Sequence, residues 1–231
     1  MLEHLGEKLI LHIPIGGVTI DVDVMTMIMS WVVIVLLVGL AFLLRRGLRQ
    51  DVEANPTRVQ ALLDGLIDLL QKQFTDNFSS ERLARELFPF VSTLFLFVLF
   101  SNWLSIIPYL QSPTQNLNVT LGFAVLVLVM SQVLAIRAKG VKKHLASYAQ
   151  PYAFILPLNI VGEFGRTLSH AFRLFGNVFG GAILIAVVTD RFAPVVVPAG
   201  LNAFFGLFVG AVQAFVFALL AVAYINVSVE G

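Results

Sequence analysis

The chain has 231 residues, 58% hydrophobic and 13% charged, with a net charge of +1; soluble domains carry roughly 25% charged residues. That balance, with a mean hydropathy of +0.89, excludes a soluble core and gives one polytopic membrane domain over residues 1–231. The net charge says nothing about nucleic acid, none is expected as a partner, and the lack of cysteine excludes disulfides, thiol chemistry and cysteine-ligated metals.

Residues 1–23, with Pro14, Gly16 and Gly17, read as an extended or turn-rich outer lead-in. They lack a basic segment followed by a short apolar run, so no cleaved signal peptide is expected. Residues 24–44 are long enough to span a bilayer, and Arg45, Arg46 and Arg49 follow at once. Residues 55–80 read as an amphipathic surface helix. Asn55-Pro56 gives a start signal, and Leu62, Leu63, Leu66, Ile67, Leu70 and Phe74 recur at helical spacing. An ordinary surface helix of a small soluble segment is the alternative.

A second span covers 87–110, with Asn102, Trp103 and Tyr109 near its far end, where amphipathic side chains favour the interface. A third, 118–137, is closed by a basic turn holding Arg137, Lys139, Lys142, Lys143 and His144. A fourth apolar stretch covers 152–188 and a fifth 198–229, divided by a turn with Asp190 and Pro194. No internal repeat appears, so the inverted-repeat plan of many transporters has no support. Lysine and arginine gather after spans one and three, while the other side has only Lys8 and Arg191. Both basic segments are therefore expected in the cytoplasm, with the amino terminus outside and the carboxyl terminus inside.

The last two stretches are too long for upright helices. About 30 to 35 residues make roughly 45 to 50 Å of helix, against a hydrocarbon core of ~30 Å. Either each lies strongly tilted, or glycines break it: Gly162, Gly165, Gly176, Gly180 and Gly181 in one, Gly200, Gly206 and Gly210 in the other. The expected fold class is therefore an all-α polytopic membrane protein with about five transmembrane helices, the last two long and strongly tilted, plus an amphipathic surface helix.

The fourth stretch carries Glu163, Arg166, His170, Arg173 and Asn177 at steps of three and four residues, which a helix turns into one polar stripe. Ionisable groups at that depth point to function. Arginine stays protonated, so Arg173 needs an anion, water or carbonyl oxygens. Glu163 lies roughly 15 Å away along the axis, and its natural partner is Arg166, three residues on. The other spans offer no mid-membrane acid. Either water reaches Arg173, or a second chain brings it a carboxylate. The rest of the stripe also has structural readings: Glu163 with Arg166 as an ion pair, and His170, Asn177 and Gln213 as interhelical hydrogen bonds.

Other chemistries lack their residues. There is no phosphate-binding loop, no nucleophile beside a base, and no histidine cluster, since His4, His12, His144 and His170 are scattered. No catalytic or nucleotide site, cofactor or metal is expected on the chain.

The segment Phe172 to Val178, FRLFGNV, with the later VQAFVF from Val212 to Phe217, resembles subunit a of the rotary F-type ATP synthases, in their membrane Fo sector. The resemblance covers nearly the whole chain, including NVTLGFAV at the third span and the basic turn after it. It implies a stator that forms two offset half-channels against a rotating c-ring and couples ion flow to rotation. Implied partners are that ring, the peripheral-stalk b subunits and the rest of the complex. The implied location is a bacterial plasma membrane, with the thylakoid as alternative. Arg173 takes the position of the essential arginine that faces the ring carboxylates. Asn177 and Gln213 match polar positions beside it, Ser169 a polar and Arg166 a basic position on the same helix.

The sequence also departs from that pattern. The acid many relatives carry fourteen residues before the arginine is Asn159 here, with Glu163 one turn later; their outer polar positions are Ala182 and Gly206. Asn202, Asp190 or His170 are the available substitutes, and the ion, proton or sodium, stays open. Two readings of the residues alone compete: a self-contained channel or secondary transporter, and a passive membrane scaffold.

Overall fold

The computed structural model describes residues 10–15, 18–47, 58–75, 81–107, 110–150, 152–191 and 200–230. The lead-in is a hairpin of β1 (Ile10–Ile15) and β2 (Val18–Asp23), antiparallel with Ile10 opposite Asp23 and Ile15 opposite Val18. Isoleucine, valine and threonine suit a pleated pair. The expected turn residues Gly16 and Gly17 lie outside the described residues. Asp23 then starts the first helix: its Oδ1 accepts from the backbone N–H groups of Met25 and Thr26 at 3.1 and 3.2 Å, satisfying donors that a helix start leaves free.

Helix α1 (Val24–Gly47) buries Met29 and Val33 against Leu104, with Met25 and Leu37 partly buried beside them. Trp31, Val35, Val38 and Leu43 stay exposed, as suits a helix bathed in lipid. Helix α2 (Arg58–Thr75) falls within the expected 55–80, whose flanks lie outside the described residues. It is amphipathic and docked: Leu70 and Phe74 are buried against Val91, Ala218 and Val222, while Ile67 and Leu69 face out.

Helix α3 (Glu81–Leu104) begins six residues before the expected 87, since the polar turn from Glu81 to Glu86 joins it. Helix α4 (Leu117–Lys139) starts at Asn116, whose side chain accepts from the N–H of Asn118, and ends at Gly140, where φ is +82°. That left-handed backbone turns the chain without a Cβ penalty. The expected basic turn is here a short helix, α5 (Val141–Tyr148).

Helix α6 (Leu156–Arg191) runs unbroken for 36 residues. Its five glycines do not interrupt it. At roughly 54 Å it fits an oblique course across a ~30 Å core. The expected turn holds Asp190 and Pro194; α6 instead continues through Asp190 to Arg191, and Pro194 falls in residues 192–199, outside the described residues. The fifth span begins α-helical at residues 200–202, passes through a π-helical stretch, Ala203–Val209, and continues as α7 (Gly210–Glu230). Among the described residues five helices are thus long and apolar enough to cross a membrane, and the chain is an integral membrane protein.

Helix α7 is the axis of the bundle, packed against α3, α4 and α6. Ala214, Ala218 and Ala221, each fully buried, fall at helical spacing along it. Small side chains let backbones approach where lipid offers no hydrophobic drive. Leu94, Val98, Leu99, Val127, Leu174 and Phe217 close the core around them.

Two glycines let the start of the fifth span lie close against the end of α3 and the turn after it. A Cβ on Gly206 would stand 2.5 Å from Cγ1 of Ile106, and one on Gly210 would stand 3.0 Å from Cβ of Asn102. Asn102 consequently sits inside the protein, not at the interface as its sequence position suggests. Its Nδ2 donates to the Gly210 carbonyl at 2.9 Å and its Oδ1 accepts from Thr114 Oγ1 at 2.7 Å. Tyr109 lies outside the described residues.

Candidate functional site

The polar stripe of α6 is real in register but faces two ways. At about 100° per residue, its five members fan over roughly 80° of the helix circumference. Glu163 and His170 lie at the edge turned to the protein, Arg166 and Arg173 at the edge turned away. His170 is buried: Nε2 sits 3.1 Å from the Phe217 carbonyl oxygen, and its ring lies 3.8 Å from the Phe217 ring and 5.4 Å from Tyr224. Since a carbonyl only accepts, Nε2 carries the hydrogen.

Arg173 is exposed, and among the described residues no carboxylate pairs with it. Asn177 holds to the same turn, its Nδ2 donating to the Arg173 carbonyl at 2.9 Å. Ser169, Gly176 and Gly180 share the exposed side, and a Cβ on either glycine would meet nothing within 4 Å. A positive charge thus stands in a shallow trough of small residues on the outside of the bundle.

Glu163 and Arg166 form an ion pair, with side chains 16% and 47% exposed respectively, so the carboxylate is the inner partner. It heads a narrow cleft between α4, α6 and α7 that continues past Ser131 and Thr167 to His170 and Tyr224, with room for about one water molecule.

Behind Glu163 lies a group the sequence did not disclose. Gln132 Nε2 on α4 donates to Glu163 Oε1 at 3.3 Å. Gln132 Oε1 accepts from Tyr148 Oη at 2.9 Å and lies 2.7 Å from His144 Nε2. Asn159, at the position of the expected acid, donates to the Tyr148 carbonyl at 2.8 Å. His144 is buried, and its Nδ1 has no hydrogen-bond partner among the described residues. Burial, then the positive charge of Lys139, holds its pKa below the ordinary imidazole value, against a weaker pull from Glu163. Burial likewise raises the Tyr148 phenol, with the Gln132 bond opposing it. One signal was available: an amide in an otherwise apolar span needs a partner.

Gln213 is half-buried on α7, next to Ala214. Asn202 is not brought to Arg173. It precedes the π-helical stretch, whose Phe205 packs on Gly181, eight residues or roughly 12 Å beyond the arginine. The Asp190 side chain lies outside the described residues. Among the described residues no three histidines or acids gather at metal-binding spacing.

Residues 27–226, which include every site residue above, match the family described as ATP synthase A chain. Proteins named ATP synthase subunit a are similar. That numbered 1 from Crocosphaera subtropica is 36% identical over 200 residues, covering 87% of this chain and 84% of its own. That from Desulforamulus reducens is 34% identical over 211 residues, covering 87% and 78%. That numbered 2 from a Picosynechococcus is 44% identical over 136 residues, covering 59% and 58%. With one family model matched across most of its length, and relatives aligned over most of theirs, the chain belongs to the ATP synthase A chain family.

Proposed function

We propose that the chain is the stator subunit a of an F-type ATP synthase, working within that complex beside a c-ring and peripheral-stalk b subunits. It forms two offset half-channels against the ring and couples the flow of protons or sodium ions to rotation. Family membership supports the coarse role. The observation that carries the mechanism is the exposure of Arg173: a fixed cation points out of its own bundle without an internal carboxylate. A self-contained channel would turn that charge inward.

An ion entering one half-channel neutralises a ring carboxylate, and the neutral site turns through lipid. At the other half-channel it releases its ion. Arg173 stabilises the bare carboxylate between the two and repels a cation passing directly from one to the other. The drive is about 2.3 kcal/mol per charge per 100 mV. Ser169, Gly176 and Gly180 leave space for a ring helix to approach the arginine. The cleft from Glu163 and Arg166 toward His170 serves the cytoplasmic half-channel. Asn177 and Gln213 flank the arginine, and Asn202 belongs to the outer side. The basic ends of α1 and α4 face the cytoplasm of a bacterial cell.

Arg173→Ala in the reconstituted complex is expected to abolish ion-driven ATP synthesis and ATP-driven pumping. Arg173→Lys is expected to fail also, because a compact ammonium can lose its proton. Coupled synthesis in the alanine variant would overturn the reading.

A further inference from the structure

The Glu163 carboxylate is not free to choose its direction. Arg166, its ion-pair partner, is 47% exposed while Glu163 is 16% exposed, so a carboxylate that simply followed the guanidinium would swing out of the cleft. What opposes that swing is Gln132, on a different helix, donating from Nε2 to Glu163 Oε1 at 3.3 Å. The amide cannot be turned around. Reversed, it would set two oxygens against each other at Glu163 and offer hydrogens to the Tyr148 hydroxyl and His144 Nε2. The carboxylate, which only accepts, sets that orientation, and Tyr148 Oη at 2.9 Å and His144 Nε2 at 2.7 Å meet the amide oxygen from behind and hold its position. His144 and Tyr148 stand four apart on α5, hence on one face, with rings edge to face at 5.3 Å.

We propose that Gln132 is a positioning residue that keeps the Glu163 carboxylate in the cleft, and that α5 fixes Gln132 through His144 and Tyr148. The short basic helix is thereby part of the ion path, acting at one remove through an amide. The inference rests on the half-channel reading, because a carboxylate needs a fixed direction there only if ions meet it. A purely mechanical cluster would hold α5 to the bundle equally well with apolar side chains.

The test uses the whole complex in liposomes, reading ATP-driven pumping and ion-driven synthesis. Gln132→Leu is expected to lower the coupled rate about tenfold, the scale of one hydrogen bond to a charged group. Tyr148→Phe removes only the hydroxyl behind the amide and gives a smaller loss in the same direction, even if the leucine variant fails to assemble. The decisive variant exchanges the two groups. Glu163→Gln alone loses the carboxylate; adding Gln132→Glu restores an amide–carboxylate pair in reverse and is expected to recover activity above Glu163→Gln alone. Full rates in both Gln132→Leu and Tyr148→Phe overturn the proposal, as does an exchange variant no better than Glu163→Gln. Arg173→Ala, run alongside, separates the two levels. Coupling retained in that variant defeats the half-channel reading itself, whereas coupling lost there with Gln132→Leu at full rate defeats only the role of Gln132.

Discussion

His170 on α6 and Phe217 on α7 are joined twice, by the 3.1 Å contact from the imidazole Nε2 to the Phe217 carbonyl and by rings 3.8 Å apart. Arg173, three residues on, sits one turn from this junction, so the junction sets how α6 presents its charge. His170→Ala removes a buried ring and one hydrogen bond, a loss of about 2–4 kcal/mol. His170→Gln retains a donor and is expected to lose less. The measurement is the melting temperature of the detergent-solubilised complex. Equal melting of the alanine variant and the parent would show that the junction contributes nothing.

Gly206 is required by contact, not by chain flexibility. A methyl there would stand 2.5 Å from Ile106 Cγ1, an atom near the backbone and unable to swing aside cheaply. Gly206→Ala is expected to destabilise by about 1–3 kcal/mol, the usual scale of overpacking. Trimming the neighbour as well, in Gly206→Ala with Ile106→Ala, is expected to melt closer to the parent than Gly206→Ala does. A single variant as stable as the parent would refute this packing.

Much of this architecture was legible because lipid imposes a simple rule. Long apolar runs must be helices, and the positions of α1, α3, α4 and the two long spans follow from composition. The stripe on α6 was legible as spacing, yet spacing cannot tell which edge of an 80° fan (about 100° per residue) meets protein. Only packing separates buried His170 from exposed Arg173. Glycine pairs show the same limit: Gly206 and Gly210 are crowded by Ile106, just past α3, and Asn102, near its end, while Gly176 and Gly180 are open. Helix α5 escaped notice because Lys142 and Lys143 give a basic turn in sequence, while His144 between α4 and the Tyr148 ring is set by tertiary contacts. The π-helical stretch has no period of its own to read.

The depressed pKa of His144 gives a signed pH dependence. Buried beside Lys139, with Gln132, Tyr148 and the Glu163–Arg166 pair facing it, the folded chain holds this imidazole neutral below its ordinary value of 6.5. The unfolded chain then binds the proton first, so the contribution is fully present above about pH 6.5 and is lost as pH falls toward the lower folded value. Melting temperature of the complex is expected to fall through that window, and His144→Gln, which keeps a donor to Gln132 without titrating, is expected to flatten the fall. An unchanged slope in the glutamine variant would assign the effect elsewhere.

Gly180 separates the needs of this chain from those of the proposed c-ring partner. Within the chain nothing lies within 4 Å of where its Cβ would be, and the residue is exposed on the same side of α6 as Arg173. Gly180→Ala is therefore expected to leave the chain's own stability unchanged or raised by up to about 1 kcal/mol, through helix propensity. Gly180→Trp starts its side chain from the same open, exposed position, so membrane-inserted chain is expected at parental levels by immunoblot. A c-ring helix passing this face would meet the indole, and coupled synthesis is expected to drop at least about tenfold, the effect of a barrier raised by roughly 1.4 kcal/mol. Parental synthesis by the tryptophan variant would show that the ring does not run along this trough, even if Arg173 proves essential.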